Sequence, residues 1–162
     1  MKENVYLKAR KTAAKWNPAL NSRQAAADQL GVSSFTLADY ELGNTKVVPV
    51  DKVVLMADLY NCPELMTGYC KNECPIGKSM AVATTVGGIE GVTLRILKEL
   101  DPESIKGIRK SLVDIASDGV ISEDEKPTLQ SIVRRLDEMT IAISELRLAS
   151  EKIIRGQGNE QN

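Results

Sequence analysis

The segment SRQAAADQLGVSSFTLADYELGN, residues 22–44, determines the fold of the first half of this chain. Ser22 is a favourable N-cap residue, and the alanines that follow it give a first short helix a small apolar surface. Gly31 can end that helix in the left-handed conformation, which glycine adopts at little cost. Ser33 or Ser34 then caps a second helix. The segment therefore predicts two short helices joined by a tight turn.

Apolar residues recur at helical spacing on both sides of this segment, so the chain is predicted to be all-α. The helices predicted for the first half span residues 3–16, 22–30, 34–42, 51–60 and 62–70. Asp51 is predicted to cap the fourth of them. The first helix is predicted to have a basic polar face made of Lys8, Arg10, Lys11 and Lys15. A loop over 71–77 then closes a first domain, residues 1–77.

The second half is predicted to form a helical dimerisation or regulatory domain over residues 78–155. Its predicted helices span 79–100, 102–117 and 123–154, and the last two form a hairpin. Glycines near the start of the first of these predict a kink or an irregular beginning. Asp101 before Pro102 marks the next helix start, and a capping box from Ser122 to Glu125 marks the last.

The last predicted helix has a heptad seam, in which apolar residues follow steps of three and four. The seam comprises Leu129, Ile132, Leu136, Met139, Ile143 and Leu146, and it continues through Ser150 and Ile153. Such spacing is typical of a coiled coil or a bundle. Because the preceding helix is only half as long, we predict that a second copy packs on the seam. Residues 156–162 lack apolar side chains and are predicted to be a disordered tail.

Charge and composition limit the function classes only weakly. The net charge is −1, with 10 basic and 8 acidic residues in 1–78 and 11 and 14 in 79–162. No run of about 18 apolar residues that would span a bilayer occurs, and the N-terminus lacks the apolar run of a signal peptide. We therefore predict a cytoplasmic protein with no membrane partner.

Catalytic signatures are absent from the sequence. It has no histidine, no glycine-rich phosphate loop and no serine elbow, and its cysteines lack a histidine that would activate them. We therefore predict that the protein is not an enzyme and uses no cofactor.

Residues 22–44 resemble the helix-turn-helix of the phage repressor and Cro class, also called the XRE family. The resemblance covers about residues 3–68 and rests on Ala26, Leu30, Val32, Leu37, Glu41, Gly43 and the helix end Met56–Tyr60. It implies a five-helix repressor-type domain whose second short helix enters the major groove. The function it implies is a sequence-specific transcriptional regulator that binds double-stranded DNA as a homodimer.

The resemblance also implies a set of DNA-contacting residues: Arg23, Ser33, Ser34, Phe35, Thr36, Asp39, Asn44 and Lys46. Arg23 and Lys46 would contact phosphates, and Lys52 would add electrostatic attraction. Before Asn44 the recognition helix lacks the Arg, Gln, Lys and Asn side chains that often read bases in this family. The alternative is a protein-interaction module that keeps the helix-turn-helix fold and binds a protein partner through its C-terminal helices.

Three cysteines lie within thirteen residues, at Cys62, Cys70 and Cys74. Reduced thiols packed at helix ends are one interpretation, and a redox-responsive group is another. As metal ligands the three are weak candidates, because a structural zinc site needs four ligands and the spacing is unusual.

The stretch from Asp114 to Glu125 has a spacing close to that of a calcium-binding EF-hand loop. Ala116 stands where that loop needs a side-chain oxygen, and a capping box explains Ser122 and Glu125 without an ion. We therefore predict a helix hairpin that holds no metal.

Overall fold

The computed structural model describes residues 4–158, and this range folds entirely into helices and connecting loops. The helices are α1 (Val5–Ala13), α2 (Arg23–Leu30), α3 (Ser34–Leu42), α4 (Val50–Leu59), α5 (Glu64–Asn72), α6 (Ile89–Glu99), α7 (Pro102–Ala116) and α8 (Lys126–Gly158). Short 3-10 helices lie at Pro18–Asn21 and Gly77–Ser79. The all-α prediction is confirmed for this range. None of the described helices combines the length and hydropathy that crossing a bilayer requires.

The described chain divides into two compact units. The first contains the residues up to Met80 and those from Glu151 onward, and the second is Ala81–Ser150. Helix α8 therefore contributes to both units.

In the first unit, α2 and α3 begin and end as their sequence predicts. Ser22 and Ser33 are the N-caps, and each side chain accepts a hydrogen bond from a backbone N–H of the first turn, at 3.3 and 3.0 Å. Gly31 and Gly43 end the two helices in the left-handed region, with φ of 63° and 77°. The turn between the helices is thus set by capping residues at both ends.

The core of the first unit is built from small and medium apolar side chains on α1 to α5 and on the segments that connect them. Its largest fully buried members include Leu20, Leu37, Met56 and Val53. Tyr40 is also buried, and Val32 packs against this core from the turn between α2 and α3. Burial of these side chains fixes which face of α3 remains outside.

Two helix starts differ from the predictions. Helix α4 begins at Val50 with Pro49 as its N-cap, so the prediction that Asp51 caps it is wrong. Asp51 lies in the first turn instead, where its negative charge interacts favourably with the positive end of the helix dipole. Helix α6 begins only at Ile89, because the glycines before it do not favour helical structure.

The end of the last helix also differs. Helix α8 extends to Gly158, beyond the predicted end at residue 154, and the disordered tail from residue 156 stays a prediction. The rest of the predicted tail, 159–162, lies outside the described residues.

The second unit is joined by ion pairs between α8 and the helices before it. Glu145 accepts from the backbone N–H of Gly87 at 3.1 Å and pairs with Arg95 at 3.2 Å. Arg135 pairs with Glu99 at 2.7 Å. These contacts connect α8 to α6 and to the segment just before α6.

The predicted N-terminal cap of α7 is present, whereas α8 begins only at Lys126, later than the start predicted at residue 123. Asp101 accepts a hydrogen bond from the N–H of Ser104 at 2.9 Å. The carboxylate of Glu125 accepts from the N–H of Ser122 at 2.9 Å, as in a capping box. The backbone N–H and the hydroxyl of Ser122 thus both donate to the Glu125 carboxylate just before α8 begins.

The last turns of α8 contact the corner between α4 and α5, within the first unit. Asn61 donates a side-chain hydrogen bond to the carbonyl of Lys152 at 3.0 Å, and the Lys152 ammonium pairs with Glu64 at 2.7 Å. Arg155 pairs with Asp58. We call this set of contacts the C-terminal clasp.

Replacing Lys152 with methionine is expected to lower the free energy of unfolding of the first unit by about 1 kcal/mol. The loss should shrink in high salt, because the ion pair is partly exposed and therefore screened. Urea denaturation followed by Trp16, the only tryptophan, measures it. The control is Lys106→Met, whose pair with Glu103 is exposed. Equal free energies of unfolding for the two variants would contradict a stabilising role of the C-terminal clasp.

Candidate nucleic-acid interface

The outward face of α3 is mainly apolar. Phe35 is 75% exposed and Leu42 is 65% exposed, and the two lie seven residues apart on the same side of the helix. Ser34 and Thr36 are half-buried. A partner approaching α3 from outside therefore meets an aromatic ring first.

Glu41, at the end of α3, is the centre of a buried ion network. Its carboxylate binds the Arg10 guanidinium in a two-point contact, at 2.5 and 3.1 Å, and accepts from the Arg23 Nε at 2.9 Å. Arg10 also donates to the carbonyl of Leu20 at 2.8 Å. The hydrogen bonds that Arg10 donates to Glu41 raise the pKa of its guanidinium, which stays charged.

The prediction that Arg10 belongs to the basic polar face of the first helix is wrong, because Arg10 is buried. The helical spacing of α1 placed it among exposed lysines, yet its guanidinium turns inward to the carboxylate of Glu41. The network ties α1 to the end of α3. It therefore positions the helix on which the predicted DNA-contacting residues lie.

Arg23, predicted to contact phosphate, lies between this network and solvent. One nitrogen binds Glu41, and the side chain remains 40% exposed. The guanidinium has further N–H groups that can donate to an anion while the contact with Glu41 persists. Glu41 thereby fixes the orientation of Arg23.

The other predicted contact residues pair mainly with one another. The Asn44 amide donates to the Asp39 carboxylate at 2.9 Å, and the hydroxyls of Ser33 and Thr36 lie 2.8 Å apart. Lys46 lies exposed on the loop after α3.

Lys52 has a structural contact. Its ammonium donates to the carbonyl of Leu30 at 3.0 Å, at the C-terminal end of α2, where a positive charge is favourable. Lys52 therefore stabilises the C-terminal end of α2. The charge of its ammonium also lies close to the turn that precedes α3.

The three cysteines are free and half-buried. Burial, together with the nearby Glu64 carboxylate, raises the pKa of Cys62 to about 12, so this thiol is protonated at neutral pH. Over residues 4–158, no three or more cysteine, aspartate or glutamate side chains are grouped so that they could hold a metal ion.

Two features of this interface have no direct signal in the sequence. One is the inward turn of Arg10, whose partner lies 31 residues away. The other is the pairing of Asp39 with Asn44, which follows from the way the chain leaves α3 at Gly43. The pattern that points to such a network has two parts. A basic residue is spaced among the apolar residues of one helix, and a glutamate of opposite charge lies at the end of another helix.

Comparison of the chain with protein-family models, with curated proteins and with solved structures gives no match. Its function is therefore inferred from its own residues and geometry.

Proposed function

We propose that the protein is a sequence-specific DNA-binding transcriptional regulator that acts as a dimer, with α3 as the recognition helix. The observation that carries the proposal is the capped pair α2 and α3, joined through a left-handed Gly31. In such a pair one helix crosses the DNA backbone and the other enters the major groove. The buried network around Glu41 supports it, because it holds α3 rigidly on α1.

Base contacts in this proposal depend on the outward residues of α3. Phe35 packs on a thymine methyl group, and Asp39 accepts from a cytosine amine. Backbone contacts come from Arg23 and Lys46, whose charges attract phosphates. Phosphate contacts of this kind release counterions, so affinity should fall as salt rises.

Replacing Lys46 with alanine is expected to weaken binding to any duplex several-fold. It should also reduce the slope of log affinity against log salt by about 1, since one phosphate contact is lost. Fluorescence anisotropy with a random-sequence duplex over a salt series measures both. The control is Lys110→Ala, an exposed lysine on α7. An unchanged slope in K46A would remove the proposed contact.

A specific observation favours a second candidate function, a protein-interaction module. Phe35 and Leu42 are exposed on α3, whereas the polar side chains of Asp39 and Asn44 satisfy each other. An apolar helix face flanked by such pairs also suits a protein partner. Failure of the wild-type protein to bind a duplex at roughly 50 mM salt would favour this function.

A further inference from the structure

Cys70 and Cys74 lie one helical turn apart at the C-terminal end of α5. Helix α5 ends at Asn72, but Glu73 keeps right-handed helical angles, with φ of −105° and ψ of −36°. The backbone N–H groups of Glu73 and Cys74 both donate to the carbonyl of Tyr69, at 2.8 and 3.4 Å. The chain therefore follows the course of the helix as far as Cys74.

The spacing of these two cysteines suits a disulfide. Residues four apart in a helix lie on the same face, with Cα atoms about 6 Å apart. In disulfides the Cα atoms usually lie about 4.4–6.8 Å apart and the Cβ atoms about 3.5–4.5 Å. Because Cβ atoms four residues apart in a helix are separated by about 5–6 Å, closure requires them to approach by about 1–2 Å. Cys74 is free to make this movement, since it lies beyond the last residue of α5.

The segment after Cys74 folds back onto α5 and is held there. The ammonium of Lys71 donates to two backbone carbonyls in the range 78–80, at 2.9 and 2.8 Å. A Cβ at Gly77 would lie 2.9 Å from the Cβ of Cys70, so the segment packs directly against this cysteine. The loop that contains Cys74 is thus fixed to α5 at both ends, which keeps Cys74 near Cys70.

Cys62 has no place in such a bridge. It precedes α5 and lies eight residues before Cys70 in the sequence. At a helical rise of 1.5 Å per residue the two Cα atoms are about 12 Å apart, which is too far for a disulfide. Burial raises the pKa of Cys62 to about 12, and the protonated thiol does not exchange with disulfides. Of the three cysteines, only Cys70 and Cys74 are therefore close enough to pair.

We propose that Cys70 and Cys74 form a reversible disulfide by exchange with a low-molecular-weight disulfide, glutathione disulfide. The thiolate of Cys74 attacks one glutathione sulfur, breaks the S–S bond and releases a first glutathione thiolate. The thiolate of Cys70 then attacks the sulfur of Cys74 and releases the second. The two cysteines lose two protons and two electrons, which convert one glutathione disulfide into two glutathione thiols. Cys74 reacts first, because Gly77 packs against Cys70.

This bridge should respond to the ratio of glutathione to glutathione disulfide. Closing it distorts the end of α5, and strained disulfides are more easily reduced than relaxed ones. The oxidised form should therefore revert when reduced glutathione is in excess. The inference does not depend on the proposed DNA binding, since neither cysteine lies on α2 or α3.

Mass spectrometry of the full chain in glutathione buffers tests the inference. As the share of glutathione disulfide rises, the wild type should lose about 2 Da, the two hydrogens removed on bridging, and reduced glutathione should restore the mass. After free thiols are blocked, trypsin cuts behind Lys71, so the bridge should join the peptides 53–71 and 72–78. Because 53–71 also contains Cys62, the same linkage in Cys62→Ser assigns the bridge to Cys70.

Single substitutions separate the two steps of the exchange. Cys70→Ser should accumulate a glutathione adduct on Cys74, because the second attack is missing. Cys74→Ser should form no bridge and much less adduct, because Gly77 packs against Cys70. The matched control Cys62→Ser should form the bridge as the wild type does.

The lysine that holds the segment gives a second measurement. Lys71→Met should slow the closing step several-fold, because the freed segment no longer keeps Cys74 near Cys70. The control is Lys78→Met, an exposed lysine that contributes only its backbone carbonyl to this contact. It should close at the wild-type rate. Equal rates for the two variants would overturn the held loop as the cause of the pairing.

Three results would overturn the bridge itself. The first is a wild type that keeps three free thiols at equilibrium with excess glutathione disulfide. The second is a disulfide that joins two chains or that is lost in Cys62→Ser. The third is a lasting glutathione adduct on the wild type, because Cys70 would then fail to reach the sulfur of Cys74.

Discussion

Replacing Glu41 with alanine is expected to lower the free energy of unfolding of the first unit by about 3–5 kcal/mol. The substitution removes the carboxylate that compensates the buried Arg10 guanidinium. Arg10 would keep only its contacts with backbone carbonyls, including that of Leu20. A buried charge without its partner is among the most destabilising changes a single substitution can make.

Urea denaturation followed by Trp16 fluorescence measures this loss, since Trp16 lies just after α1. The matched control is Asp39→Ala, a half-buried acid on the same helix whose partner is an amide. It should cost only about 1 kcal/mol. Equal losses for the two variants would mean that the network around Glu41 contributes no more than a surface contact.

Much of the first unit follows from local chemistry that a sequence displays. Ser22, Gly31, Ser33 and Gly43 each occupy the cap position that their side chain or backbone freedom favours. Caps depend on neighbours within a few residues, so they can be predicted without knowing the tertiary structure. The inward positions of Leu37 and Tyr40 follow in the same way from helical periodicity.

The features that could not be predicted depend on partners far along the chain. Helical periodicity predicts an exposed position for Arg10 because charged side chains are usually exposed. The contact with Glu41, 31 residues away along the chain, draws its guanidinium inward instead. Nothing local to Lys152 signals that the end of α8 contacts Asn61, 91 residues away. Long-range pairing of polar groups therefore limits the prediction of the site more than that of the fold.

The heptad seam shows a different limit. Apolar residues spaced alternately three and four residues apart lie along one side of α8, but residues on the adjacent sides of the helix have the same spacing. Ile132 and Leu136 are both seam members, yet one is buried in the second unit and the other is exposed. Periodicity predicts that α8 has apolar faces, and only packing shows which face still needs a partner.

Replacing Gly77 with alanine is expected to give the second largest loss of stability, about 1–3 kcal/mol or more. A Cβ at this position would lie 2.1 Å from the carbonyl oxygen of Cys70 and 2.6 Å from its carbonyl carbon. Backbone atoms cannot move aside as a flexible side chain can, so the segment around Gly77 must shift. That shift should also expose the thiol of Cys70 to labelling reagents.

The matched control is Gly68→Ala on α5, where a Cβ meets nothing within 4 Å. Alanine there should stabilise the first unit by about 0.5–1 kcal/mol, because it favours the helix. Trp16 fluorescence in urea gives both free energies, and the rate of thiol labelling reports on Cys70. If G77A is as stable as the wild type and the Cys70 thiol is labelled slowly, the backbone around Gly77 can shift with little loss of stability. In that case the close approach of Gly77 would not be what shields the thiol of Cys70 on α5.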